Sequence, residues 1–296
     1  MRNFEYRKVS TLEEAFHLLE THGREARILA GGTDLLVQMR HGLLGPKILI
    51  DLKGVPGLDE IRYEAPTGLR LGALTLIHAL ETDPLVKEKF GIISQAASSL
   101  GSYQVRCRAT LGGNLCNASP AADMVPALIS LGAKAKLSCR NGDRFLPLED
   151  FFAGPGRNRL RPGEILIDVQ VPNPPPAPAG FHHTKHSTRK AMDLAVVGVA
   201  VAFSSDSRRE KCADVKIALG AVGPVPFRAT GAENRLRGER VDEDLISQAA
   251  FRAAEEAQPI SDIRASGEYR REMVRVLTHR TLKQAWMNLL RGRTPA

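Results

Sequence analysis

Apolar positions come in short bursts broken by glycine, proline and polar residues, and the spacing inside each burst assigns it. Leu12, Ala15, Phe16, Leu18 and Leu19 share one side of a helical projection. Ser10-Thr11-Leu12-Glu13 reads as a capping box opening that helix, and Gly23 closes it. Arg27-Ile28-Leu29-Ala30 predicts a strand running into Gly31-Gly32. A helix opening at Thr33 or Asp34 and ending near Gly42 follows, then a strand over Lys47-Ile48-Leu49-Ile50-Asp51-Leu52, giving a β-α-β unit at 26–52. Strands are predicted at 69–73, 133–138 and 165–171, helices at 91–100 and about 120–131, and a hairpin turn at Asn141-Gly142. Pro172, Pro174, Pro175, Pro176 and Pro178 then crowd together. Proline lacks the backbone donor and disfavours helix and central strand alike, so a linker and a domain boundary are placed near 177. Beyond it the order changes: strands at 181–187, 194–203 and 214–221, with a turn at 204–209, precede amphipathic helices at 242–256 and 266–290. Strands followed by helices predict an antiparallel sheet covered on one face, and an α+β class for the chain.

Composition narrows the function classes. The chain has 296 residues, 43% of them hydrophobic and 25% charged, enough for two ordinary domains. No stretch approaches the ~20 apolar residues of a membrane helix, and the opening Met1-Arg2-Asn3-Phe4 has no apolar leader, so a cytoplasmic location is the expectation. The net charge of +8 is spread over separate groups, Arg157, Arg159 and Arg161, then Arg235, Arg237 and Arg240, then Arg270, Arg271 and Arg275. No nucleic-acid-binding signature accompanies them, which favours solvated faces and protein contacts. Cys107, Cys116, Cys139 and Cys212 fit neither zinc nor iron–sulfur spacing. His182, His183 and His186 lack a carboxylate or thiol at metal-ligand spacing, and on a strand His183 points away from the other two. No metal site is expected, so any electrons this chain carries need an organic cofactor.

Two glycine segments hold the candidate chemistry. Ala30-Gly31-Gly32-Thr33-Asp34-Leu35 lies between a strand and a helix. Glycine lets backbone approach a phosphate, and a helix N-terminus offers unpaired N–H groups. A tight turn with an N-cap has the same sequence. Thr110-Leu111-Gly112-Gly113-Asn114 repeats the pattern, and Ser119-Pro120 then marks a helix start with Asp123 in its first turns. There Asp123 either caps the helix or accepts hydrogen bonds from a sugar-like chain. The dinucleotide fingerprint GxGxxG and the phosphate loop GxxxxGKS/T are both missing. Two such segments without them point to a dinucleotide whose diphosphate is wrapped from two sides.

With these two segments, the chain resembles the FAD-binding medium subunit of the molybdenum hydroxylases, a group that includes subunits of aerobic carbon monoxide dehydrogenase, bacterial xanthine dehydrogenase and 4-hydroxybenzoyl-CoA reductase. Supporting stretches are Phe151–Gly156 with Leu160–Leu166, Lys185 through Arg189 to Ala195, and Asp262-Ile263-Arg264-Ala265-Ser266 with Tyr269-Arg270. The resemblance implies a vanillyl-alcohol-oxidase-like (PCMH-type) FAD domain at 1–176, with subdomains of about 1–55 and 56–176, and a C-terminal domain at 177–296. It implies one non-covalent FAD. Ile28, Leu29, Ala30, Gly31, Gly32, Thr33, Asp34, Leu35 and Leu36, together with Thr110, Leu111, Gly112, Gly113 and Asn114, would hold its diphosphate and ribityl region. Asp123 would bond the sugar-alcohol chain, Leu100 and Leu166 would pack on rings, and Lys185 would sit near the isoalloxazine. No catalytic residue is implied in this chain. Electrons would pass from 2Fe-2S clusters on a small partner subunit, fed by a large molybdopterin subunit, through this chain's FAD to an external acceptor, in a dimer of heterotrimers. The extra iron–sulfur cluster of the 4-hydroxybenzoyl-CoA reductase subunit is not expected, because the chain is too short for that insertion. The rival readings are a stand-alone FAD-dependent oxidase or dehydrogenase, which would be bleached by substrate in isolation, and a flavin-binding assembly protein with no redox role, whose FAD would never be reduced in the complex.

Overall fold

The computed structural model describes residues 2–174 and 178–292, so the boundary placed near 177 lies outside the described residues. The chain begins with β1 (Glu5–Lys8), α1 (Leu12–His22), β2 (Ala26–Leu29), α2 (Leu35–Arg40) and β3 (Ile48–Asp51), and the three strands form a parallel sheet in the order β1-β3-β2. Strand β3 is buried throughout, as a central parallel strand must be. Strand β1 is exposed along its length, an edge with no apolar alternation to announce it. Gly23 ends α1 at φ +49, as the sequence predicts, but the cap lies one residue later than the Ser10–Glu13 box expected: Thr11 accepts from Glu14 N, and Ser10 N donates to the Glu14 carboxylate at 2.8 Å.

A second sheet is antiparallel with the order β4-β5-β10-β6-β7, formed by β4 (Ile61–Glu64), β5 (Gly68–Gly72), β6 (Lys134–Cys139), β7 (Gly142–Pro147) and β10 (Ile165–Val171). A small ribbon of β8 (Phe152–Gly154) and β9 (Arg157–Asn158) precedes β10. Between β5 and β6 run α3 (Ile77–Thr82), α4 (Pro84–Lys89), α5 (Gly91–Ser99), α6 (Tyr103–Arg106), α7 (Leu111–Cys116) and α8 (Met124–Ser130). Two expectations are corrected here. The second glycine pair is not in a loop: it forms the first turns of α7, because Thr110 caps that helix and Leu111 and Leu115, one turn apart, are both fully buried. The helix expected from Ser119-Pro120 begins only at Met124, after a turn, and Asp123 makes no capping bond.

The third sheet is an antiparallel meander of β11 (Ala179–His186), β12 (Val197–Ser205), β13 (Cys212–Gly220) and β14 (Phe227–Arg228). Helices α9 (Thr230–Leu236), α10 (Glu243–Glu256) and α11 (Gly267–Leu290) share an apolar core with one face of it. The other face joins the core of the second sheet's helices through Phe181, Ala200 and Ala218. Small residues permit that contact: a Cβ on Gly220 would lie 2.8 Å from Pro126 of α8. The third sheet therefore has a helical layer on each face, and it reaches the second sheet's side of the molecule closely enough to build part of a shared cleft.

Candidate cofactor cleft

A cleft of about 1150 Å³ is lined by residues from all three parts of the fold. That exceeds the roughly 300–1,000 Å³ typical of small-molecule pockets and suits an elongated ligand. Its first wall is the turn between β2 and α2. A Cβ on Gly31 would stand 2.0 Å from the carbonyl oxygen of Arg108, so this glycine lets the first turn stack on the backbone leading into α7. Gly32 sits at φ +77, where other residues are strained. The amides of Gly31, Gly32, Thr33, Asp34 and Leu35 have no hydrogen-bond partner among the described residues, and all five residues line the cleft. Buried or half-buried amides need partners, and a run of free ones is a receptor for an anion.

The wall at α7 is built differently. Leu111 N donates to Thr75 O at 2.9 Å, Gly112 N to Ala73 O at 2.7 Å and Gly113 N to Thr110 Oγ1 at 3.1 Å. The helix terminus expected to receive an anion is therefore already satisfied internally. What α7 offers instead is room and one polar atom. A Cβ on Gly113 would meet only Thr110 Oγ1, at 3.0 Å, and the side-chain oxygen of Asn114 is buried without a partner among the described residues.

Asp123 lines the cleft with its carboxylate one-tenth exposed. Its Oδ2 accepts from Lys185 Nζ at 2.9 Å, while Oδ1 has no partner among the described residues and is not sealed from the cleft. Burial pushes the Asp123 carboxyl up to about 6, against the opposing pull of the Lys185 ammonium. Cys116 also lines the cleft, where burial pushes its thiol up to about 12 and keeps it un-ionised.

Of the residues singled out in the sequence, Ile28, Ala30, Gly31, Gly32, Thr33, Asp34, Leu35, Leu100, Thr110, Gly113, Asn114 and Asp123 come together around this cleft. The others do not line it. Leu29, Leu111 and Gly112 are buried in protein contacts, and Leu36 is exposed, its side chain lying beside Gly32. Leu166 is buried within β10, and Lys185 lies behind Asp123. Sequence reasoning missed Arg24, Arg27, Gln38, Gly101, Asn117, Arg161 and the segment Met192, Asp193 and Leu194 as cleft residues. Gln38 Nε2 reaches Asn117 Oδ1 at 3.4 Å, joining α2 to the end of α7. Arg161 and Asp193 stood in the supporting stretches of the resemblance, the one signal that pointed to them. Among the described residues no group of three or more His, Cys, Asp or Glu is arranged to hold a metal ion, and no helix is long and apolar enough to cross a membrane.

Residues 2–174 match the family described as the FAD binding domain in molybdopterin dehydrogenase, and residues 182–285 match the CO dehydrogenase flavoprotein C-terminal domain. The chain is 33% identical over 282 residues to the glyceraldehyde dehydrogenase medium chain of Sulfolobus acidocaldarius, covering 95% of this chain and 98% of that one. It is 30% identical to the putative xanthine dehydrogenase FAD-binding subunit of Escherichia coli, covering 95% of each. Among solved structures, a chain of the carbon monoxide dehydrogenase from Hydrogenophaga pseudoflava superimposes with a TM-score of 0.92 at 31% identity, covering 97% of this chain and 98% of that one.

Proposed function

Because the chain belongs to the family of FAD-binding medium subunits of molybdenum hydroxylases, we propose that it binds one FAD in the cleft and relays electrons between partner iron–sulfur clusters and an external acceptor. The observation that carries the placement is the run of unpartnered amides from Gly31 to Leu35, facing a cleft of dinucleotide size. These amides would hold the diphosphate. Gly113 leaves the space through which the ligand would pass, and Asn114 supplies a polar atom that has no partner among the described residues. The open Oδ1 of Asp123 would accept from the hydroxyls of the ribityl chain, and Leu100 would pack on a ring. Bound flavin supplies one- and two-electron redox chemistry at its isoalloxazine, which no side chain of this protein can perform. The un-ionised thiol of Cys116 supports a non-covalent attachment.

The protein's own part is to orient the cofactor, surround it with apolar and polar walls, and limit its contact with water. No residue of this chain has a catalytic role in the reading. Substrate oxidation belongs to a large molybdopterin-binding partner, and a small 2Fe-2S partner delivers electrons to this chain, with two such heterotrimers pairing. Names of relatives such as the carbon monoxide dehydrogenase medium chain of Hydrogenophaga pseudoflava support a multi-subunit enzyme.

The purified full chain is expected to show a flavin absorption spectrum and to release FAD on denaturation. Substrate should bleach the flavin in the complex and leave the isolated chain unchanged. Gly113→Val is expected to lose most of its FAD while keeping its secondary structure by circular dichroism. A variant with the full FAD content would remove Gly113 from the binding path.

A further inference from the structure

Resting on that reading of the cleft, we infer that Lys185 is a positioning residue: its ammonium ties Asp123 to the end of α5 and to the 187–196 strap, and holds the Asp123 carboxylate as the acceptor facing the flavin's sugar-alcohol chain, instead of approaching the isoalloxazine itself.

An ammonium has three N–H donors. Lys185 Nζ lies 2.9 Å from Ser99 O, 2.9 Å from Asp123 Oδ2 and 3.0 Å from Asp193 O, and the side chain is 8% exposed. All three donors are committed, so a direct contact with a cleft ligand requires breaking one of them. The acceptors belong to segments far apart in sequence, each directly beside or within the lining of the cleft: Leu100 and Gly101 after α5, Ala121 to Asp123, and Met192 to Leu194. A second bond repeats the closure, as Met192 N donates to Gly101 O at 3.0 Å. Met192 holds φ +54, a conformation that a side-chain-bearing residue keeps only when its surroundings fix it. Lysine is the residue that can do this from β11, because its long stem crosses the packed α5 face and ends in a charge that a buried carboxylate needs.

The electrostatics follow from the same geometry. Lys185 is the ion-pair partner of Asp123 among the described residues. The other ionisable groups around them are quenched or engaged. His183, on the same face of β11, is pushed down to about 3 by burial, with His182 and Lys185 adding to the effect. The Cys116 thiol is pushed up to about 12 by burial. The Asp193 carboxylate accepts from Arg189 N and Leu194 N. Glu164 is paired with Arg144, and Arg161 stands on the cleft wall beside it. Removing the Lys185 charge therefore leaves burial unopposed at Asp123, and its carboxylate gains a proton at higher pH.

The test is FAD binding by the apo full chain, read by flavin fluorescence from pH ~5 to ~9, with the flavin potential measured in parallel. The wild type should lose affinity as pH falls through about 6, because the acceptor becomes protonated. Lys185→Met should weaken binding about tenfold near neutral pH and move the inflection upward by about a unit or more, with the potential little changed. Asp123→Asn, which keeps an oxygen for Lys185 but cannot ionise, should give a flat profile. An unmoved inflection in Lys185→Met, or an inflection that survives in Asp123→Asn, overturns the inference. A fall in flavin potential in Lys185→Met without a moved inflection overturns it too, in favour of direct contact with the isoalloxazine. If the Met variant fails to fold, Lys185→Gln, which keeps a donor and removes the charge, is read in the same way: an inflection left where the wild type has it overturns the inference. Wild type that takes up no FAD at any pH defeats the cleft assignment itself, a different outcome from any of these.

Discussion

A Cβ on Gly31 would sit 2.0 Å from Arg108 O, whereas one on Gly113 would touch only the hydroxyl that caps its own helix, at 3.0 Å. These glycines look equivalent in sequence and serve different masters. Gly31 is required by protein backbone; Gly113 leaves room in the cleft. Gly31→Ala is expected to lower stability by roughly 2–3 kcal/mol, the cost of overpacking against rigid backbone, measurable by urea unfolding of the apo chain. Gly113→Ala should stay within about 1 kcal/mol of wild type, since alanine favours a helix and offsets the squeezed cap, yet it should weaken FAD binding. Equal stability losses in the two variants would show that their packing does not differ. Asp123 teaches the same lesson. Its position before a helix suggested a cap, but its carboxylate turns to Lys185 and the cleft.

The strap that joins β11 to β12 is held at several places along its length. Lys185 and Gly101 fix Asp193 and Met192. Its far end is held by the motif at 262–270: Arg270, 1% exposed, donates to Val196 O at 2.8 Å and to Asp262 Oδ1 at 2.8 Å, and Arg264 also binds Asp262. Tyr269 meets His186 at 3.1 Å at the near end. Arg270→Leu should cost roughly 3 kcal/mol, by leaving a buried carbonyl and a carboxylate short of a donor, and should make the strap more sensitive to proteolysis. The hydrogen bonds from Arg264 hold the Asp262 carboxyl well below the usual carboxylate range, with Arg270 adding to them. A depressed folded-state value means stability that is present above about pH 4, the unfolded carboxylate range, and is lost as pH falls below it. Urea midpoints taken from neutral to acid pH should therefore fall, and Asp262→Asn should flatten that fall.

On the scale of the whole molecule, three sheets contribute to one cleft, and the proposed relay needs partner chains to feed it. Co-expression with the large and small subunits should yield a complex holding FAD, molybdenum and iron, while the chain alone should hold FAD without either metal. Light scattering on that complex tests the paired heterotrimer; a mass of one heterotrimer would remove the pairing. The sequence determined by itself the helix α1 with its glycine stop, and its cap to within one residue, the β-α-β unit, the central strands, the order of the C-terminal elements and the family. Those depend on local periodicity, turn chemistry and motif order, all written along the chain. Edge strand β1 was illegible because its four residues are all exposed and show no alternation. Tertiary structure alone decided which glycine leaves room in the cleft, which amides have no partner among the described residues, and that Lys185 stands behind Asp123. The spacing of a motif does not say whether its N–H groups are already bound: those of α7 find Ala73, Thr75 and Thr110, and those of the first turn find no partner among the described residues. That difference is made by strands and helices distant in sequence, and it exists only once they pack.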